Sequence, residues 1–248
     1  MSVPRLPHNA IYNRHNDMIK NTQPFSQQLL NIAELFYSIQ GESTYAGLPC
    51  VFIRLAGCNL RCHYCDARYT YEEAHATMAL DVILSFVDGY PGAIVEITGG
   101  EPLFQENVFP LMAELVARKR TVLLETNGSL PIDAVAPEVI VVMDIKTPDS
   151  GSADSLANGN IAAARARNKN IPGSCEIKFV LTGRDDYTWA RDLVNQHALN
   201  ASGPTLFSPV KGQLSPADLA AWILQDQLAV RLQLQLHTLI WPHLSRGI

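Results

Sequence analysis

The chain has 248 residues, enough for one large domain or two small ones and ample to bury a core. Its net charge of −5 gives no global electrostatic case for nucleic-acid binding. No apolar run approaches the roughly eighteen residues of a membrane span. Residues 1–30 open with "MSVPRLPHNAIYNRHNDMIKNTQPFSQQ", lack the apolar core of a signal peptide and read as a polar extension, so the expected location is cytoplasmic. The five cysteines are odd in number and three are clustered, which argues for a metal site rather than a disulfide framework.

After the extension, apolar β-rich runs occur at "AELFYSI", "VFIRLA", "AIVEIT", "TVLLET", "VIVVMDI", "CEIKFVL" and "VRLQLQL". Between them lie amphipathic stretches, "MALDVILSFVDGY", "ENVFPLMAELVARK", "DDYTWARDLVNQHAL" and "SPADLAAWILQDQ". The last opens on Ser215–Pro216, an N-cap followed by proline at the first helical position, with Asp218 in the first turn. This alternation predicts a parallel sheet with helices outside it. No GxGxxG follows the first strand, so dinucleotide binding is not supported. Several strands end in polar or glycine-rich turns ("TGGEP", "ETNGS", "DIKTPDSG", "FSPVKG"), the pattern of a complete or partial (β/α) barrel with its site at the carboxyl ends of the strands. No Ser/Gly linker divides residues 31–248, which read as one domain. "GSADSLANGNIAAARARNKN" is small, polar and glycine-bearing, and is expected to be a mobile insertion. Cys50 and Cys175, alone in apolar runs, read as small core residues.

Cys58, Cys62 and Cys65 form C-x3-C-x2-C, a spacing too compact for a regular helix to aim all three inward. A loop must wrap whatever they bind, and Gly57 lets its backbone approach closely. Thiolates suit zinc or an iron–sulfur cluster. The zinc reading is a knuckle completed by His63 or a distant residue. The cluster reading leaves the fourth iron of a cubane open to a small molecule, such as an amino acid chelating through its amine and carboxylate.

The cysteine triplet, with aromatic Tyr64 before its last member, resembles the radical S-adenosylmethionine superfamily. So does "TGGEP" after an apolar strand, where that superfamily has a glycine-rich turn meeting the methionine amino group. More narrowly, "ELFYSIQGES" followed by "GLPCVFIRLAGCNLRC" is similar to the 7-carboxy-7-deazaguanine synthases, as are "ETNGS", "DIKTPDSG", "IKFVLTGRDDY" and "RLQLQLH". The resemblance runs from about Glu34 to the C-terminus. It implies an α/β fold, a modified and incomplete (β/α) barrel of the radical S-adenosylmethionine type, in a homodimer. It also implies a [4Fe-4S] cluster, S-adenosylmethionine, an electron donor such as flavodoxin, and 6-carboxy-5,6,7,8-tetrahydropterin as substrate. The implied reaction contracts the pterin ring to 7-carboxy-7-deazaguanine with loss of ammonia, in queuosine or 7-deazapurine biosynthesis. The cofactor radical does the chemistry, so no residue is assigned as acid or base.

Matched motif to motif, Cys58, Cys62 and Cys65 are the implied cluster ligands. Tyr64, Cys65, Asp66, Gly100, Asp144, Ile145, Lys146, Thr205, Leu206, Phe207 and Ser208 match positions that hold S-adenosylmethionine. Ile39, Gln40, Gly41, Glu42, Arg54, Thr98 and His237 match substrate positions, joined by the terminal carboxylate of Ile248. A carboxylate such as Glu42 suits the amino and ring N–H edge of a pterin, and Arg54 suits a bidentate pair with the substrate carboxylate. Two positions depart from the family pattern. Ala67 stands where a threonine usually contributes to a Mg²⁺ site, and Thr238 follows the histidine where lysine is common. Two other readings share the cysteine loop: a glycyl-radical-enzyme activase with a protein substrate, and a non-catalytic zinc-binding module.

Overall fold

Strands and helices alternate as their side chains require, short β-branched runs carrying the sheet and amphipathic segments covering it. The computed structural model describes residues 23–248. The polar extension expected over residues 1–30 thus lies outside the described residues as far as residue 22, and the first strand already begins at Leu29. The strands are β1 (Leu29–Ile39), β2 (Pro49–Leu55), β3 (Ala76–Ala79), β4 (Ile94–Gly99), β5 (Val122–Thr126), β6 (Ile140–Asp144), β7 (Cys175–Leu181), β8 (Thr205–Pro209) and β9 (Arg231–Leu232). The helices are α1 (Tyr69–Glu72), α2 (Leu80–Asp88), α3 (Val108–Ala117), α4 (Asn160–Asn170), α5 (Arg184–His197), α6 (Leu199–Ser202), α7 (Pro216–Gln225) and α8 (Leu236–Ile240).

All nine strands form one sheet in the order β3-β1-β2-β4-β5-β6-β7-β8-β9. β1 runs antiparallel to β2 and β3, and every pair from β2 to β9 is parallel. The sheet ends on β3 and β9 without closing, which is the incomplete barrel expected. Alternate residues point to opposite faces. One face supplies Ile53, Leu55, Ile97, Leu124, Met143, Phe179 and Phe207 to a continuous core with Ile83 and Val87 of α2, Leu111 and Leu115 of α3, Tyr187 and Val194 of α5, and Leu219 of α7. Cys50 and Cys175 are fully buried, as small core residues should be. Ser215 caps α7, its hydroxyl accepting from the Ala217 amide at 3.2 Å with Pro216 next in line. Among the described residues no helix is long and apolar enough to cross a membrane.

Two sequence expectations need correction. The supposed insertion contains α4, the crossover helix between β6 and β7. Its fixing bonds are polar. Asn160 donates to the Gly128 and Leu130 carbonyls (2.9 Å each), Asn168 to Cys175 O (2.7 Å), and Arg167 to three carbonyls of residues 135–139. A helix seated through buried amides shows little apolar periodicity. The second correction concerns "VRLQLQL", of which only Arg231 and Leu232 form a strand. The Gln233 amide still bonds Phe207 O at 2.9 Å, but that of Leu236 has turned to Gly41 O at 3.0 Å. The chain leaves the sheet edge there, crosses toward the loop after β1 and starts α8.

Candidate active site

The other face of the sheet opens at the carboxyl ends of its strands into a cavity of about 600 Å³. The cysteine loop follows β2 and closes one end. Its backbone is held against the turn after β4: Gly100 N donates to Leu55 O at 3.0 Å and Glu101 N to Gly57 O at 2.9 Å. A Cβ on Gly100 would lie 2.0 Å from the Gly57 carbonyl oxygen, so only glycine permits this approach. Glu101, fully buried, accepts from the amides of Leu103 (3.0 Å) and Asn127 (2.8 Å) and from the Thr126 hydroxyl (2.9 Å). One carboxylate thereby ties the turn after β4 to the turn after β5.

Cys58, Cys62 and Cys65 are all free and line the cavity. Cys58 Sγ accepts from the Leu60 amide at 3.4 Å and the Asn127 side-chain amide at 3.7 Å, donors that suit a ligand thiolate. Among the described residues no group of three His, Cys, Asp or Glu side chains is arranged to hold a single metal ion. His63, the nearest candidate to complete a zinc knuckle, instead places Nδ1 3.0 Å from the Asp149 carbonyl.

Beyond the cysteines lies a cluster of charged side chains: Glu96, Glu125, Asp144 and Lys178 come from strands and Glu42 from the loop after β1. Lys178 of β7 is buried and donates to Glu42 at 2.9 Å and to Glu125, with Asp144 at 3.8 Å. Burial works against its charge, and Glu125, Glu42 and Asp144 outweigh it, raising the lysine well above its ordinary value. Glu125 is drawn down to about 2: burial opposes this, and Lys178 overrides it. Thr98 Oγ1 donates to the other Glu125 oxygen at 2.9 Å, and Gln235 donates to Glu42 at 2.9 Å. Glu96, next along β4, is buried and bonded to the Gln40 amide. Burial, then the charge of Glu125, pushes its carboxyl well up.

Lys146 Nζ bonds Asp144 Oδ2 at 2.8 Å, leaving Asp144 Oδ1 buried without a partner among the described residues. Tyr64 donates to Val180 O at 3.2 Å. Arg54 donates through Nε to Glu34 at 3.1 Å; among the described residues its two terminal nitrogens make no hydrogen bond. The His237 ring packs on Gly41, where a Cβ would sit 2.3 Å from its Nδ1.

The structure brings Cys58, Cys62, Tyr64, Cys65, Asp66, Gly100, Asp144 and Lys146 together with Gln40, Gly41, Glu42, Arg54, Thr98, His237 and Ile248 around one cavity. It does not bring Ile39, Ile145, Thr205, Leu206, Phe207 or Ser208 to that wall. Ile145 and Phe207 face the helices, Phe207 lying edge-on to Phe179 and Tyr187 at 5.4 and 5.9 Å. Ser208 pairs in register with Val180, which does line the cavity, so Ser208 faces the same side behind it. Its hydroxyl is buried and unpartnered among the described residues. Sequence reasoning missed Lys178, Glu125, Glu96, Gln235 and Asn127 as site residues. The available signal was a charge within an apolar run, as in "VLLET" and "CEIKFVL".

A partial barrel with three free thiols on one loop, set against a glycine turn too tight for any side chain, defines a radical S-adenosylmethionine protein. The model of the Radical SAM superfamily matches residues 52–160. The 7-carboxy-7-deazaguanine synthase of Chlorobaculum tepidum is 46% identical over 219 residues, 88% of this chain and 97% of that one. That of Koribacter versatilis is 40% identical over 88% of this chain and all of its own. The crystal structure of QueE from Escherichia coli superposes with a TM-score of 0.68 at 21% identity, covering 85% of this chain and 96% of that one, a likeness of fold. The chain belongs to the 7-carboxy-7-deazaguanine synthase family.

Proposed function

We infer that the cavity takes two ligands side by side, S-adenosylmethionine against the cysteine loop and a carboxylated pterin against Gln40–Glu42, Arg54 and Lys178. The activity is that of the family, conversion of 6-carboxy-5,6,7,8-tetrahydropterin to 7-carboxy-7-deazaguanine with loss of ammonia. The observation that carries this reading is that the thiols and the free face of Arg54 open onto one cavity. A [4Fe-4S] cluster and S-adenosylmethionine, when bound, supply a 5′-deoxyadenosyl radical that removes a hydrogen from the pterin.

The protein's own work is to hold, orient and shield. Cys58, Cys62 and Cys65 hold the cluster, and Asn127 and the Leu60 amide donate to the first of these sulfurs. Asp144 Oδ1, buried and without a partner among the described residues, offers an acceptor to the nucleoside end of S-adenosylmethionine. Tyr64, Asp66 and Lys146 line the cavity beside it, and the Gly100 turn meets the methionine amino group. Arg54 presents two N–H-bearing nitrogens to the pterin carboxylate. Glu42 is held in place by Lys178 and Gln235, and each of its oxygens keeps a lone pair for the pterin's N–H edge. Thr98, His237 and the terminal carboxylate of Ile248 border the same space.

A one-electron donor such as flavodoxin and a second copy of the chain complete the proposed assembly, in the cytoplasm. Leu239, Ile240 and Leu244 are exposed within one C-terminal stretch and supply apolar surface for a homodimer contact. Mg²⁺ finds no side-chain oxygen at Ala67, and the neighbouring Thr70 hydroxyl is turned to the Ala67 carbonyl at 2.7 Å. The reading is tested by anaerobic reconstitution: brown protein should convert the carboxytetrahydropterin to the deazaguanine with one 5′-deoxyadenosine formed. Cluster-loaded protein that cleaves S-adenosylmethionine and leaves the pterin untouched would refute it.

A further inference from the structure

Arg54 lies opposite Glu34 across the antiparallel β1–β2 pair, and that pairing depends on an irregularity in β1. Ile32 stands opposite Leu55, yet Glu34 stands opposite Arg54, so two steps along β1 match one along β2. Ala33 is the extra residue of a β-bulge. Because side chains alternate with period two, one extra residue reverses the parity of everything beyond it. Leu30 and Ile32, before the bulge, enter the helix-covered core. Glu34 and Phe36, after it, join Arg54 and Phe52 on the cavity face, with the Phe36 and Phe52 rings stacked at 4.8 Å. In an unbroken strand Glu34 would share the face of Ile32, away from Arg54.

Glu34 Oε2 receives Arg54 Nε at 3.1 Å and, at the same oxygen, the Tyr69 hydroxyl at 2.5 Å. Tyr69 opens α1, four residues after Cys65. Its ring is covered by the Arg246 guanidinium at 4.2 Å from the ring centroid, and Arg246 is itself paired with Glu73. The Arg54 guanidinium is thus gripped by its Nε edge alone, while Phe36 flanks it with Cζ 5.7 Å from the ring centroid. A planar guanidinium fixed by one edge presents its two terminal nitrogens in a set direction.

We propose that Glu34 and Tyr69 are positioning residues that aim Arg54 at the substrate carboxylate, with the C-terminal Arg246 as the cover of that device. This rests on the reading of Arg54 given above. The bulge supplies the acid, the helix after the cysteine loop supplies the hydroxyl, and the chain's tail supplies the lid. Substrate carboxylate recognition is thereby built on the same short segment that follows the last thiol.

The readout is the discrimination between inhibitory pterins with and without a 6-carboxyl group, measured on cluster-loaded enzyme beside KM, kcat and the cluster absorbance. Tyr69→Phe and Glu34→Gln should each lower that discrimination about tenfold and raise KM by a similar factor, the scale of one charge-assisted hydrogen bond. The decarboxylated pterin should bind each variant as it binds the wild type, and the cluster absorbance should not change. Arg246→Ala should lower discrimination by about threefold or less, as befits a half-exposed contact. Full discrimination in folded, cluster-loaded Tyr69→Phe and Glu34→Gln, with discrimination lost in Arg54→Lys, overturns the positioning role alone. Full discrimination in Arg54→Lys overturns the reading of Arg54, and the proposal with it.

Discussion

The two faces of this sheet come from the same strands and solve opposite problems. On the helix side, Ile53, Ile97, Leu124, Met143 and Phe179 meet apolar helix faces and need no partner beyond shape. On the cavity side, the adjacent residues Arg54, Glu96, Glu125, Asp144 and Lys178 put ionisable groups where water is scarce, and hydrogen-bond and ion-pair partners hold them there. The difference teaches where stability and function separate. A change on the helix face should alter how firmly the protein folds, whereas one on the cavity face should alter what it binds.

The sharpest break should come at the loop that caps the cavity face. Cys62→Ala should abolish cluster absorbance and turnover while leaving the circular dichroism spectrum of the folded chain; a retained cluster spectrum would exclude Cys62 as a ligand. Next is Lys178→Met, which strands Glu42, Glu125 and Asp144 without their shared cation. Breaking a buried pair in this way costs about 3–5 kcal/mol, and pterin turnover should fall with it. Its pH dependence has a definite sign. Glu125, drawn down to about 2 against burial chiefly by Lys178, contributes stability that is present above the ordinary carboxylate range and lost as pH falls toward its folded value. The wild-type advantage over Lys178→Met, followed by thermal melts, should therefore shrink on acidification; a constant gap would contradict the pairing.

Ile53→Ala, one residue before Arg54 but on the other face, should cost about 3 kcal/mol through the cavity it leaves. That corresponds to a fall in Tm of about 10 °C, with kcat and KM of the folded enzyme unchanged below the transition. A shift in KM matching that of the Arg54 variants would erase the distinction between the faces. The smallest effect should be Glu96→Gln. Burial and the neighbouring Glu125 raise Glu96, so its neutral form contributes stability that is lost as pH rises above the ordinary carboxylate range through its folded value. The glutamine variant should melt about 2–4 °C higher at neutral pH, with a flatter decline on the alkaline side. A lower Tm would show that Glu96 is charged there.

Much of this was readable in the chain itself. The cysteine loop is local: three thiols within eight residues and a turn that tolerates no Cβ follow from spacing and composition. The parallel strands announced themselves as short apolar runs, and Ser215–Pro216 as a helix start. The failures have physical causes. α4 is seated by Asn160, Arg167 and Asn168 through backbone carbonyls, which leaves no apolar stripe to find. β9 stops after Leu232 because the chain leaves the sheet edge beyond Gln233, and the Leu236 amide bonds Gly41 O instead. Lys178 and Glu125 stood in quoted motifs yet went unassigned, because a charge in a strand gives no hint of its partner on another strand.

The sequence by itself determined most of the parallel strands, the cysteine loop and the family resemblance, since all of these depend on neighbours in the chain. Only the tertiary structure decided which charges meet. Lys178 and Glu42 are 136 positions apart, and Tyr69 and Glu34 are 35 apart. Their contacts depend on strand register and, for Glu34, on one bulged residue that turns a carboxylate from the core to the cavity. Register is a property of pairs of strands, and no single strand carries it.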